Sequence, residues 1–129
     1  MADSDAQPTW QSDVAQVYDL HLIKAFAADR RVRRKLFKTG QLWAEIACYE
    51  PGQSTVMHHH PFEEETIYVL EGVATMNIAG DELVLPAGSV VRFDAGMKHD
   101  VRNLHDERCV IVFLKIPTRL ARQAGARDG

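Results

Sequence analysis

Residues 58–65 read His58, His59, His60, Pro61, Phe62, Glu63, Glu64 and Glu65, which places three of the chain's six histidines beside three glutamates. In a strand, alternate side chains share a face. His58 and His60 would then project together and His59 away from them. Two imidazoles on one face, followed by a carboxylate at a turn, is how a β-protein assembles a metal site. A further histidine, His99, follows a glycine-containing turn and opens its own strand-like run. The candidate donors are therefore His58, His60, one of Glu63 to Glu65, and His99. Imidazole and carboxylate suit a divalent first-row ion: iron, manganese, nickel, copper or zinc. Three imidazoles and one carboxylate leave up to two positions of a six-coordinate ion open to a substrate or to dioxygen.

The elements that must position these donors read as strand after strand. Short apolar runs cover 42–49, 54–60, 66–71, 73–79, 82–85, 89–93, 99–104 and 108–116, with Gly, Pro and Asp turns between them. Turn signals at that spacing predict an all-β sandwich or barrel of about nine or ten strands. Alternation in 42–49 sets Leu42, Ala44, Ile46 and Cys48 on one face, with Trp43, Glu45, Ala47 and Tyr49 on the other. Ahead of the strands, 1–13 is polar and expected to be loose, with Trp10 as an anchor. Apolar spacing predicts a short helix over 20–28.

A basic run follows: Arg30, Arg31, Arg33, Arg34, Lys35 and Lys38, interleaved with Val32, Leu36 and Phe37. Such a run can bind phosphate or nucleic acid. It is also how an exposed edge strand stays soluble, or one side of an oligomer contact, and the acidic balance of the chain favours that reading. The expected division is an N-terminal extension over 1–28, a barrel over 29–117, and a tail over 118–129 made of a helical stub and a frayed end.

Composition narrows the function classes. The 129 residues, 46% hydrophobic and 26% charged, suit one globular domain. A net charge of −3 gives no general attraction to nucleic acid or to an anionic membrane. No apolar run approaches the ~20 residues that span a bilayer. The acidic, polar start has no signal-peptide pattern, so a cytoplasmic location is expected. Cys48 and Cys109 lie inside apolar runs and are read as two buried thiols in a reducing compartment, not as a bridge.

At this point the residues resemble the cupin superfamily, in particular its small single-domain members. The first motif of that family, G(X)5HXH(X)3–4E(X)6G, is met by Gly52, His58, His60, Glu65 and Gly72 at full spacing. The second, G(X)5PXG(X)2H(X)3N, is met by Gly88, Gly96, His99 and Asn103, with Asp94 standing where the family has proline. The departure loosens a turn and touches no ligand.

The resemblance implies a double-stranded β-helix, a jelly-roll-like barrel. It also implies that His58, His60, Glu65 and His99 hold one divalent transition metal, iron(II) first among the candidates. Asn103 would support a strand near the site, and the glycines would serve turns. Such proteins commonly form homodimers through outer strands. His59 would turn away from the pocket, and Glu64 would be the alternative ligand if the loop ran one residue shorter. His21 and His105 carry no motif.

The expected function is a metal-dependent enzyme on a small organic substrate, dioxygenase-like or an isomerase or lyase. Glu64 and Tyr68 are candidate acid–base residues, while structural roles are expected for Tyr49 and Trp43. The alternative is a non-catalytic module that binds or senses a metal or small ligand. Val56, Ile67, Val69, Val101 and Phe113 are expected to line the pocket. They would favour a substrate with an apolar or aromatic body and a chelating end.

Overall fold

The computed structural model describes residues 4–118. Period-two alternation and tight turns produce the barrel strands in chain order: β4 (Val32–Lys38), β5 (Trp43–Tyr49), β6 (Glu63–Glu71), β7 (Val73–Ile78), β8 (Asp81–Pro86), β9 (Val90–Phe93), β10 (His99–Arg102) and β11 (Cys109–Pro117). Before them come β1 (Ser4–Asp5), β2 (Trp10–Gln11), β3 (Gln16–Val17) and the short helix α1 (Leu20–Ile23). A six-stranded sheet in the order β1-β4-β5-β11-β6-β9 faces a three-stranded sheet in the order β10-β7-β8. This is the expected all-β barrel.

Alternation gives the large sheet two apolar faces. Inward go Ala47 and Tyr49 of β5, Ile67 and Val69 of β6, and Ile111 and Phe113 of β11. They meet Ala74, Met76 and Val101 from the small sheet. Outward go Ala44, Ile46, Cys48 and Val110, which pack with Val32 and Leu36 and are covered by Ala6 and Ile23. The cover is the N-terminal segment, expected to be loose. Instead β1 pairs in parallel with β4, and β2 and β3 form a hairpin. The gain is apolar area removed from water on the outer face. Trp10 belongs to neither buried cluster and stays 58% exposed.

Three further expectations change. The helix is one turn, capped by Asp19, whose Oδ1 accepts from the His21 N–H at 3.1 Å. A single turn is a costly nucleus, and Ala25, Phe26 and Ala27 pack on the outer cluster after the helix has ended. The basic strand β4 is not the sheet edge, because β1 lies outside Arg34 and Lys35. Residues 54–60 form no regular strand, only isolated bridges at Ser54 and His58. The N–H groups of Gly52, just ahead of them, and of Thr55 and His58 donate to the carbonyls of Asn103, Val101 and His99. Three residues on one side thus match two on the other, which breaks the ladder as a bulge does. The expected tail lies, beyond Thr118, outside the described residues.

The two thiols are free and buried, as expected. They occupy adjoining rungs of β5 and β11, Cys48 opposite Val110 and Cys109 opposite Tyr49. Cys48 belongs to the outer cluster and Cys109 to the inner one, so their Cβ vectors point apart and cannot be bridged. Burial raises both thiols, Cys109 to about 12. Among the described residues no helix is long and apolar enough to cross a membrane.

Two outcomes follow. Gly72 joins β6 to β7 with φ of +75°, and a Cβ there would run into the Arg108 carbonyl oxygen, whereas a Cβ at Gly80 would meet open space. Gly72→Ala is expected to cost at least ~3 kcal/mol in urea unfolding, and Gly80→Ala about 1 kcal/mol; equal losses would show that the start of β11 gives way freely. The Cys109 thiol ionises from about 9 when unfolded but holds its proton to about 12 when folded. Only the unfolded state gains from ionisation in that window, so stability falls as pH rises through it and is unaffected below it. The decline of the urea midpoint between pH 8 and 11 should be shallower in Cys109→Ala; parallel curves would assign the decline to other groups.

Candidate metal centre

Three elements carry the site. β10 opens with His99, β6 brings Glu65 inward on the same face as Ile67 and Val69, and the bulged segment delivers His58 and His60. The His58 N–H donates to the His99 carbonyl at 2.9 Å and the His99 N–H returns the bond at 2.8 Å. That reciprocal pair of hydrogen bonds holds the His58 and His99 rings side by side, tilted with centroids 4.2 Å apart, while the His58 and His60 rings meet edge to face at 5.1 Å. One donor nitrogen from each of His58, His60 and His99 lies within 4.8 Å of the others. Glu65 Oε1 stands 3.4 Å from His60 Nε2 and 3.3 Å from His99 Nε2. His59 is exposed, as alternation requires.

The donor set fits a metal ion. His58 Nδ1 lies 2.8 Å from the Val56 carbonyl, and His99 Nδ1 lies 2.9 Å from the Met97 carbonyl. A carbonyl can only accept, so each Nδ1 carries the proton and each Nε2 keeps its lone pair, the usual arrangement of a metal-binding imidazole. Glu65 Oε1 and His99 Nε2 are buried and lack a hydrogen-bond partner. Their 3.3 Å approach is an ion-pair distance without hydrogen-bond geometry. Burial lowers the pKa of His58, and that of His60 to about 4, which keeps both rings neutral donors at neutral pH. Burial also lowers His99, but the Glu65 carboxylate and the Met97 carbonyl together outweigh it and raise that ring. Buried orphan acceptors that converge on one point are what a cation satisfies.

The site opens into a cavity of about 260 Å³. Its apolar wall includes Val56, Ile67, Val101, Ile111 and Phe113. All but Ile111 were legible as lining, whereas Val69 lies in the inner core. Charged groups also line it, and the sequence reading missed them: Arg31, Arg33 and Lys115. Arg33 donates from Nε and Nη2 to the two Glu45 oxygens, each at 3.0 Å, and Glu45 is fully buried. The signal was the strand period. Glu45 shares a face with Ala47 and Tyr49, Lys115 shares one with Phe113, and Arg31 and Arg33 sit two apart.

Other assignments move. Glu64 is turned to Arg92, whose Nε donates to it at 2.8 Å, and Tyr68 is exposed. Neither candidate acid–base residue lines the cavity. Tyr49 does, fully buried, and burial raises its phenol so that it stays protonated. Asn103 is buried and donates from Nδ2 to the Tyr49 and Glu107 carbonyls at 3.3 and 2.8 Å, the strand support expected of it.

Residues 45–115 match the family described as Cupin domain. The chain is similar to Polyketide synthase CurC of Streptomyces cyaneus, 34% identical over 68 residues, 53% of this chain and 44% of that protein. It is also similar to the Tetracenomycin polyketide synthase protein TcmJ of Streptomyces glaucescens, 29% identical over 63 residues, 49% of this chain and 42% of that protein. The chain thus spans less than half the length of either relative. A solved structure from Thermus thermophilus superposes with a TM-score of 0.75 at 22% identity, over 78% of this chain and 96% of that one, and shows the fold.

The paired charges on the wall give one expected outcome. Glu45→Gln takes a buried carboxylate away from the Arg33 guanidinium, and breaking a buried pair on one side costs about 3 kcal/mol or more. Urea unfolding measures it; a loss under ~1 kcal/mol would mean that solvent already screens the pair.

Proposed function

The chain belongs to the cupin domain family, and on that premise we propose that its cavity is the active site of a metal-dependent enzyme for a small organic substrate with oxygen donors. The observation that carries this reading is the cluster of His58, His60 and His99 nitrogens beside the buried, orphaned Glu65 oxygen, opening into a lined cavity. The three imidazoles would hold the ion and Glu65 would be its fourth, anionic ligand. A divalent first-row ion bound there, iron(II) first among candidates, supplies Lewis acidity toward a substrate oxygen and, if it is iron, a route to dioxygen.

The chain's own groups do the rest. Phe113, Ile67, Ile111 and Val101 shed water and hold an apolar body. Tyr49 replaces Glu64 and Tyr68 as the candidate polar contact, because it lines the cavity and its phenol, held protonated, can donate a hydrogen bond to a substrate oxygen. The curated relatives are named as polyketide synthase proteins, and a poly-oxygenated chain or ring is a chelating molecule of the class this cavity suits. Dioxygenase chemistry and isomerase or lyase chemistry both fit that substrate.

Protein purified without added metal should contain about one divalent first-row ion per chain, and His58→Ala and His99→Ala should each lose most of it. Chelation should lower the melting temperature by several degrees, since a ligand of the folded state stabilises it. Oxygen uptake with catechols or diketones would favour the dioxygenase; turnover without uptake, the isomerase or lyase. Bound metal with no turnover would move the reading to a binding module, and a chain that holds no divalent ion would end it.

A further inference from the structure

The cavity wall carries more positive charge than the fold can use. Lys115 is 8% exposed and points into the cavity from β11. Its rung partner on β6 is Glu65, yet the two make no ion pair. The Lys115 ammonium lies 4.5 Å from the Trp43 ring centroid and 5.9 Å from that of Phe113. Among the described residues it meets ring faces and no hydrogen-bond acceptor. A buried cation without an anion costs several kcal/mol, and a ring face recovers only about 1–2. Arg33, on the same wall, shows the alternative, because Glu45 answers it inside the fold. Arg31 also lines the cavity, and among the described residues no hydrogen bond or ion pair satisfies it. Three cations therefore stand against Glu45 and Glu65, and a divalent ion on Glu65 would widen the excess. A low-dielectric cavity of that sign concentrates and orients anions.

We propose that the substrate is a small organic carboxylate on an apolar or aromatic body, with Lys115 and Arg31 supplying the positive charge that selects it. The inference rests on the cavity being a substrate site. The apolar lining fixes the body, and the charged wall fixes the sign of the head group. Lys115 is a specificity residue whose burial is retained against its own cost. Arg31, on the chain just before β4, extends the same positive wall beside Tyr49.

The test compares salicylate with neutral salicylamide, which has nearly the same shape, by calorimetry on the purified protein and again after chelation. Salicylate should bind about tenfold more tightly, the size of one charge-assisted contact. Lys115→Met should remove most of that preference, and Arg31→Gln should reduce it, with salicylamide affinity and metal content unchanged. Because Lys115→Met removes an unpaired buried charge, its unfolding midpoint should be equal to wild type or higher, so lost binding is not lost folding. Equal affinity for the two probes, binding of neither, or a preference kept in both variants would overturn the inference. The measurement on chelated protein keeps the two readings apart. Absence of metal would sink the enzyme proposal while the charge preference still stands or falls on Lys115 and Arg31.

Discussion

A carboxylate oxygen that is buried and met by no donor is the constraint around which this barrel is arranged. Glu65 sits on the inner face of β6 between two imidazoles, and its Oε1 has no hydrogen-bond partner. Left alone, such an atom carries its full desolvation penalty. The neighbouring features act to hold that atom among lone pairs. Carbonyls of Val56 and Met97 fix two ring tautomers. The reciprocal bonds between His58 and His99 fix the ring spacing. Burial keeps His58 and His60 neutral. The fold spends order on a point where only a cation completes the bonding.

The cavity in front of that point has two chemical sides. Apolar strand residues exclude water, and a row of long basic side chains faces inward beside them. One of the bases is neutralised by Glu45, and the others are left for whatever enters. The same low dielectric that makes these groups expensive makes them discriminating, because a charge in such a place distinguishes strongly between an anion and a neutral analogue.

Much of this was legible in the residues. Period-two alternation placed His58 and His60 together and set His59 aside, and turn spacing gave the barrel. Glu65 was one of three adjacent carboxylates until the family motif singled it out. What stayed hidden was long-range. Arg31 and Arg33 read as part of a solvated basic edge, because nothing local reveals that β4 lies one place in from the sheet edge and turns them inward. Lys115 lies inside the apolar run 108–116, where nothing local singles it out. The N-terminal segment read as loose because it is polar, and its order comes from the outer face of a sheet whose two apolar sides were visible but not their coverings. Residues 54–60 read as a strand because alternation does not report the three-for-two mismatch with β10.

The two-sided character of β5 has a consequence for how this sequence can change over time. Glu45, Ala47 and Tyr49 serve the cavity, while Ala44, Ile46 and Cys48 serve the outer cluster. Inserting or deleting one residue would exchange the two sets, driving a carboxylate into an apolar layer and an isoleucine against the guanidinium. Point replacements can be absorbed one face at a time; changes of length cannot. Lineages carrying this barrel should vary in length at the turns around Gly80 and Asp106 and keep the distance from Trp43 to Tyr49 fixed.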